Sequence, residues 1–107
     1  MQIPENAFIA KEKLTRYLLV PRQIDDKFGF LAQAGFTREN PSELEAAMRR
    51  QISQEEAVSD RVDQYGTYYQ VHGHLQGPNG VELAVITVWL CDAQSKQYRF
   101  ITLKPWR

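Results

Sequence analysis

The chain's two histidines, His72 and His74, stand two residues apart in the stretch YGTYYQVHGHLQ. If that stretch is a strand, both imidazoles leave one face about 7 Å apart, a separation that brackets a phosphodiester. Imidazole exchanges protons near neutral pH. One ring can therefore take a hydroxyl proton while the other protonates a departing oxygen. Such a reaction also needs cations against the crowded phosphate, which Lys27 and Arg99 can supply. Tyr68, Gln70 and Thr102 are the candidate substrate-binding side chains, with Thr87 a weaker choice because its register puts it on the opposite face. A plainer reading stands beside each of these. The histidines can simply form the polar side of an edge strand, and Lys27 and Arg99 can be ordinary solvated ion pairs. Tyr65, Tyr68, Tyr69, Trp89 and Tyr98 can stack bases, but aromatics of this density also fill sheet cores. Two histidines and one distant cysteine have no zinc-site spacing, so neither a metal nor a cofactor is expected.

The element that must position these residues is a β-hairpin over Tyr65 to Trp89. Pro78 fixes φ at the first turn position, Asn79 tolerates the second, and Gly80 can take the left-handed conformation. With Gly77 opposite Val81, one side of the ribbon pairs Leu75 with Leu83, Gly73 with Val85, Val71 with Thr87 and Tyr69 with Trp89. The other side pairs His74 with Ala84, His72 with Ile86, Gln70 with Val88 and Tyr68 with Leu90. The first side is core. The second is apolar on one strand and polar on the other.

The rest of the chain supplies a scaffold. Residues 1–10 read as an extended lead-in that packs Ile3, Phe8 and Ile9 on the core. Helical spacing begins near Lys11, with Leu14, Tyr17 and Leu18 inward and Lys13 and Arg16 outward, and Pro21 stops it. Asp25 or Asp26 can cap a second helix carrying Phe28, Leu31 and Ala32, which Gly35 ends. A third begins at Asn40 with Pro41 at its first position and Glu43 completing a capping-box pattern, and it presents Leu44, Ala47, Met48 and Ile52. Arg49 and Arg50 read as surface charges. Gln54 to Gln64 is a polar connection that begins a strand near Arg61. Gln97 to Lys104 alternates as a further strand, after which Trp106 is expected to cover an edge of the core. Helices first and strands second is the α+β pattern: N-terminal helices packed on one face of a C-terminal antiparallel sheet of three or four strands.

Length and charge set the outer bounds. With 107 residues, the chain fits a single domain over 1–107, with a helical half 1–56 and a β half 57–107. Formal net charge is zero, which removes the broad basic balance of many nucleic-acid binders but leaves room for a local patch. Residues 65–107 carry Lys96, Arg99, Lys104 and Arg107 against Glu82 and Asp92. A single cysteine, Cys91, and no signal-like start make the cytoplasm the expected compartment. No apolar run approaches the ~20 residues of a membrane span.

The runs YGTYYQVHGHLQGPNG, TVW and RFITLKP, with IPENAFIAKEKLTRYLL and KFGFLAQAGF before them, resemble a family of short bacterial proteins frequent in cyanobacteria and known only as a domain of unknown function. The resemblance covers nearly the whole chain. It departs at Pro21 to Lys27, where relatives carry a Pro/Gly-rich stretch and only Lys27 matches. The family's layout is similar to that of the barnase/RelE-like small ribonucleases, many of them toxins. Taken with the paired histidines and the mild basic surplus of residues 65–107, that likeness of layout points to a metal-independent RNA-cleaving or RNA-binding protein, for which His72, His74, Lys27 and Arg99 are the candidate acting residues. The alternative is a non-enzymatic module, such as an antitoxin, immunity or accessory protein, that binds a small partner protein. An edge strand leaves a homodimer open.

Overall fold

A computed structural model describes residues 1–23 and 27–106. The expected cap at Asp25 or Asp26 lies outside the described residues. Helix α1 (Lys11–Lys13) runs directly into a π-helical turn (Leu14–Leu18) and is followed by α2 (Phe28–Ala32) and α3 (Pro41–Gln54). Strands β1 (Ala57–Asp63), β2 (Gly66–Gln76), β3 (Glu82–Asp92) and β4 (Tyr98–Pro105) then form an antiparallel sheet in chain order. The fold is α+β, with the helices in the N-terminal half. Among the described residues, no helix is long and apolar enough to cross a membrane.

The β2–β3 hairpin has the register that its turn chemistry dictates, pairing His72 with Ile86, His74 with Ala84 and Val71 with Thr87. Gly80 sits at φ 90°, where glycine alone is at ease. The turn closes through the Gly77 N–H to Val81 O at 2.9 Å and the Gly80 N–H to Gly77 O at 3.0 Å. The tip is docked against α2: the Asn79 side chain donates to Gln33 O at 3.1 Å. A Cβ at Gly77 would meet Ala34 O at 1.9 Å.

One face of the sheet is closed. Val71, Leu75, Val85, Trp89 and Leu103 share a buried cluster with Leu14, Leu18, Leu31, Leu44, Met48 and Ile52, so the stripe of α3 faces inward as its spacing requires. A buried polar chain crosses this core. The Trp89 indole N–H donates to Thr87 Oγ1 at 2.9 Å, Thr87 donates to Gln51 Oε1 at 2.8 Å, and Gln51 Nε2 donates to Val71 O at 2.8 Å. Every member is satisfied, which is the condition for burying such groups. Thr87 is thereby committed to the core and unavailable to a ligand.

Several local expectations need correction. β1 begins at Ala57, four residues before Arg61, although only Ala57 of its residues is buried. Asn40 starts α3, but its side chain accepts the Thr37 N–H at 2.8 Å and donates to Gly35 O at 3.1 Å instead of capping the helix. Arg49 is more than a surface charge, since its Nη1 clamps the carbonyls of Glu5 and Ala7 at 2.8 and 3.0 Å. Phe8 pairs in parallel with Arg99 at the sheet's edge and is 62% exposed, while Ala7 and Ile9 beside it are buried. A bulge in β4 breaks simple alternation, so Phe100 and Leu103 both reach the core.

Candidate functional site

The outer face of the sheet carries the residues singled out first. His72 is half-buried and His74 exposed, both on that face. Trp106 does not cover the core's edge: its ring lies 5.1 Å from that of His72, edge-on, and 6.3 Å from that of His74. The backbone N–H of Trp106 donates to Ala84 O at 3.0 Å, so the chain end stays in register with β3. The small Ala84 side chain lets the indole reach across to β2. At the opposite end of the face, Tyr68 is buried beneath the Arg61 guanidinium, 3.8 Å from the ring centroid. Gln70 is half-buried between Val58 and Val88 in the cross-strand register.

Arg99 is held elsewhere. Its Nη1 bonds Asp92 Oδ2 at 3.0 Å, and Asp92 also accepts the N–H groups of Gln94 at 2.9 Å and Ser95 at 3.1 Å. Backbone donation from Ser95 and Gln94, with the Arg99 contact added, lowers the Asp92 carboxyl to about 2. This is turn chemistry, with Arg99 locking the β3–β4 connection. Beside it, burial together with the neighbouring Cys91 and Tyr69 pushes the Tyr98 phenol up to about 12.

Lys27 and Thr102 come together in a different place. An open cleft of about 720 Å³ at the outer edge of β4 is lined by Ala10, Glu12, Lys13, Tyr17, Lys27, Ile101 and Thr102. Neither histidine nor Arg99 is among these lining residues. Lys27, only 9% exposed, is set by α2, whose first turn it opens by accepting the Leu31 N–H at 3.0 Å. Lys13 reaches from α1 to Ile101 O at 2.9 Å, holding the helix against the bulged strand. The Tyr17 hydroxyl lies 3.4 Å from Thr102 Oγ1. Two cations flank the Tyr17 ring, Lys13 Nζ at 5.7 Å and the Arg22 guanidinium at 5.2 Å from its centroid.

The local backbone explains this convergence. The Leu19 N–H bonds Leu14 O at 3.0 Å, a five-residue step that widens the turn carrying Tyr17. The β4 bulge, which inserts Ile101 between the paired Phe100 and Thr102, aims Thr102 outward beside it. Chemically, the cleft is lined by two lysines, two hydroxyl side chains and the acidic Glu12, residue types suited to an anionic oxygen-rich ligand. Glu12, Lys13, Tyr17 and Arg22 are not distinguished as site residues by spacing along the chain. The available signal was the Tyr17 hydroxyl on an otherwise apolar stripe, since a half-buried phenol needs a partner.

Residues 2–107 match the family described as a domain of unknown function, DUF6883, and the chain belongs to that family. It has no match among curated proteins. Among solved structures it is similar to a chain of a contact-dependent growth inhibition toxin and immunity protein complex from Klebsiella pneumoniae 342, with a TM-score of 0.67, 18% identity and 95% of each chain covered. At that identity the likeness establishes a common fold.

Proposed function

We propose that this protein is a metal-independent RNA-cleaving domain of the toxin kind, acting in the cytoplasm, with the scissile phosphate seated in the cleft between α1 and β4. The observation that carries this reading is the convergence of Lys13, Lys27, Tyr17 and Thr102 around one open space. In this reading Lys27 and Lys13 neutralise the phosphate while the Thr102 and Tyr17 hydroxyls orient its oxygens. The Glu12 carboxylate takes the proton of the 2′-hydroxyl, whose oxygen bonds to phosphorus as the bond to the 5′-oxygen breaks. Tyr17 gives the departing oxygen its proton. Among the described residues, no three imidazole, thiol or carboxylate groups gather as metal ligands. His72, His74 and Arg99 are left outside the chemical step, because neither the ring pair nor the turn-locked guanidinium lines the cleft.

The fold shared with a chain from a toxin and immunity complex supports the toxin class, and equally a second reading in which this chain binds a partner protein. The specific observation favouring the second is the open outer face, where Phe8, Val58 and Trp106 are exposed. A homodimer through β1 is not favoured: that edge carries a bulge between Ser59 and Arg61 and the charges of Asp60, Arg61 and Asp63, the features by which edges resist pairing. The two readings separate on expression in bacteria. A cleaving toxin arrests growth, and Lys27→Met relieves the arrest; a binding module is harmless with or without Lys27.

A further inference from the structure

The outer positions of β4 lead out of the cleft. Thr102, Lys104 and Trp106 alternate along one side of the chain: Thr102 pairs with Val88, Lys104 with Ile86, and the Trp106 N–H bonds Ala84 O. Thr102 lines the cleft, and Trp106, 44% exposed, ends the row with His72 edge-on at 5.1 Å and His74 at 6.3 Å. From Thr102 to Trp106 the strand covers about 13 Å, which a short run of extended nucleotides can follow. One row therefore presents in order a cleft-lining hydroxyl, an exposed cation and an aromatic ring beside two imidazoles. The outward acid of β3 in this region, Glu82, lies one step beyond Ala84 and opposite Gln76. It stands past the end of the row.

We propose that Trp106, steadied by His72 and His74, is a stacking platform for an unpaired base of the RNA strand whose scissile phosphate occupies the Lys27 cleft, with Lys104 contacting the phosphate between them. The inference rests on the reading of that cleft as the phosphodiester site. It gives the histidine pair a part in recognition: two rings fix the indole so that one of its surfaces is free for a base, a sequence-tolerant contact that favours single strands over duplexes. Ordering the indole in advance lowers the entropic cost of binding.

The test compares a dinucleotide, which holds one phosphodiester and ends within the cleft, with a hexanucleotide long enough to reach Trp106. With the full chain, the kcat/KM ratio of hexanucleotide to dinucleotide should fall roughly tenfold in Trp106→Ala, and less in Trp106→Phe, which keeps a ring. Lys104→Ala should lower the same ratio and weaken its salt dependence. A ratio unchanged in Trp106→Ala overturns the platform. Binding gives an independent measure, because Trp89 is fully buried and only Trp106 is open to quenching. A hexanucleotide of 2′-deoxy sugars, which lacks the internal nucleophile, should quench the emission where a dinucleotide does not. Absence of quenching overturns the platform, as does a concentration-dependent change of Trp106 emission without RNA, which would assign this face to a second copy of the chain. Failure of the underlying reading appears separately, as a dinucleotide that the wild-type protein leaves intact.

Discussion

Thr87 and Thr102 lie on neighbouring strands on opposite faces of one sheet, and the same hydroxyl does opposite work in the two places. On the inner face Thr87 is fully buried and spends both donor and acceptor on Gln51 and Trp89. On the outer face Thr102 is half-buried and shares an open cleft with Lys27. Polar groups inside this fold are few and mutually satisfied, so they specify packing. On the outer side His74, Lys104 and Trp106 are exposed and Thr102 and His72 half-buried, so polar and aromatic surface there still faces solvent. The period of two along each strand lets one backbone serve both ends.

The comparison predicts a steep difference in cost. Gln51→Leu strips Val71 O and Thr87 of their partners and should destabilise the protein by about 2–4 kcal/mol, read as a lowered urea midpoint with an unchanged slope. Thr87→Ser keeps the hydroxyl and should cost only about 0.5–1.5 kcal/mol, the loss of one buried methyl. If it costs as much as Gln51→Leu, hydrogen bonding is not what orders this core. On the outer face the double change His72→Ala, His74→Ala removes two ring contacts and should cost below about 1 kcal/mol. A large loss there would mean that the outer face is structural too. Smallest of all is an acid-range effect at the β3–β4 turn. The Asp92 carboxyl lies well below its unfolded value of about 3.9, so its carboxylate favours the fold above that value. The contribution is lost as pH falls through about 2. Carboxyl NMR should place the Asp92 midpoint near 2, and a midpoint at the unfolded value would mean that the Ser95, Gln94 and Arg99 contacts are not made.

How much of this was legible follows from where the signal lies. The hairpin register was readable because Pro78-Asn79-Gly80 and the alternation on either side agree, and each constrains the other. The α3 stripe was readable for the same reason at helical period. The start of β1 was not, because six of its seven residues are exposed and the strand exists through backbone pairing with β2. The cleft was unreadable for a different cause. Tyr17 and Thr102 are 85 residues apart in sequence, and their meeting follows a π turn and a β bulge that each add a residue to a regular element. Of the residues first singled out, Lys27 and Thr102 reach one place, His72 and His74 another, and Arg99 a third. Shared chemistry along a chain predicts candidate types; the insertions that re-aim a strand or helix decide which of them meet.

The central claim is that phosphodiester chemistry belongs to the cleft beside β4 and not to the histidine pair. It is tested most directly by cleavage of a single-stranded RNA in EDTA by wild-type protein, by Lys27→Met and by the His72→Ala, His74→Ala variant, each protein in saturating excess over the RNA. The account predicts that Lys27→Met lowers the single-turnover rate about 10²-fold or more, as loss of a transition-state charge contact does, while the double histidine variant stays within a few-fold of wild type. A double histidine variant that is inactive beside a functioning Lys27→Met protein would contradict it.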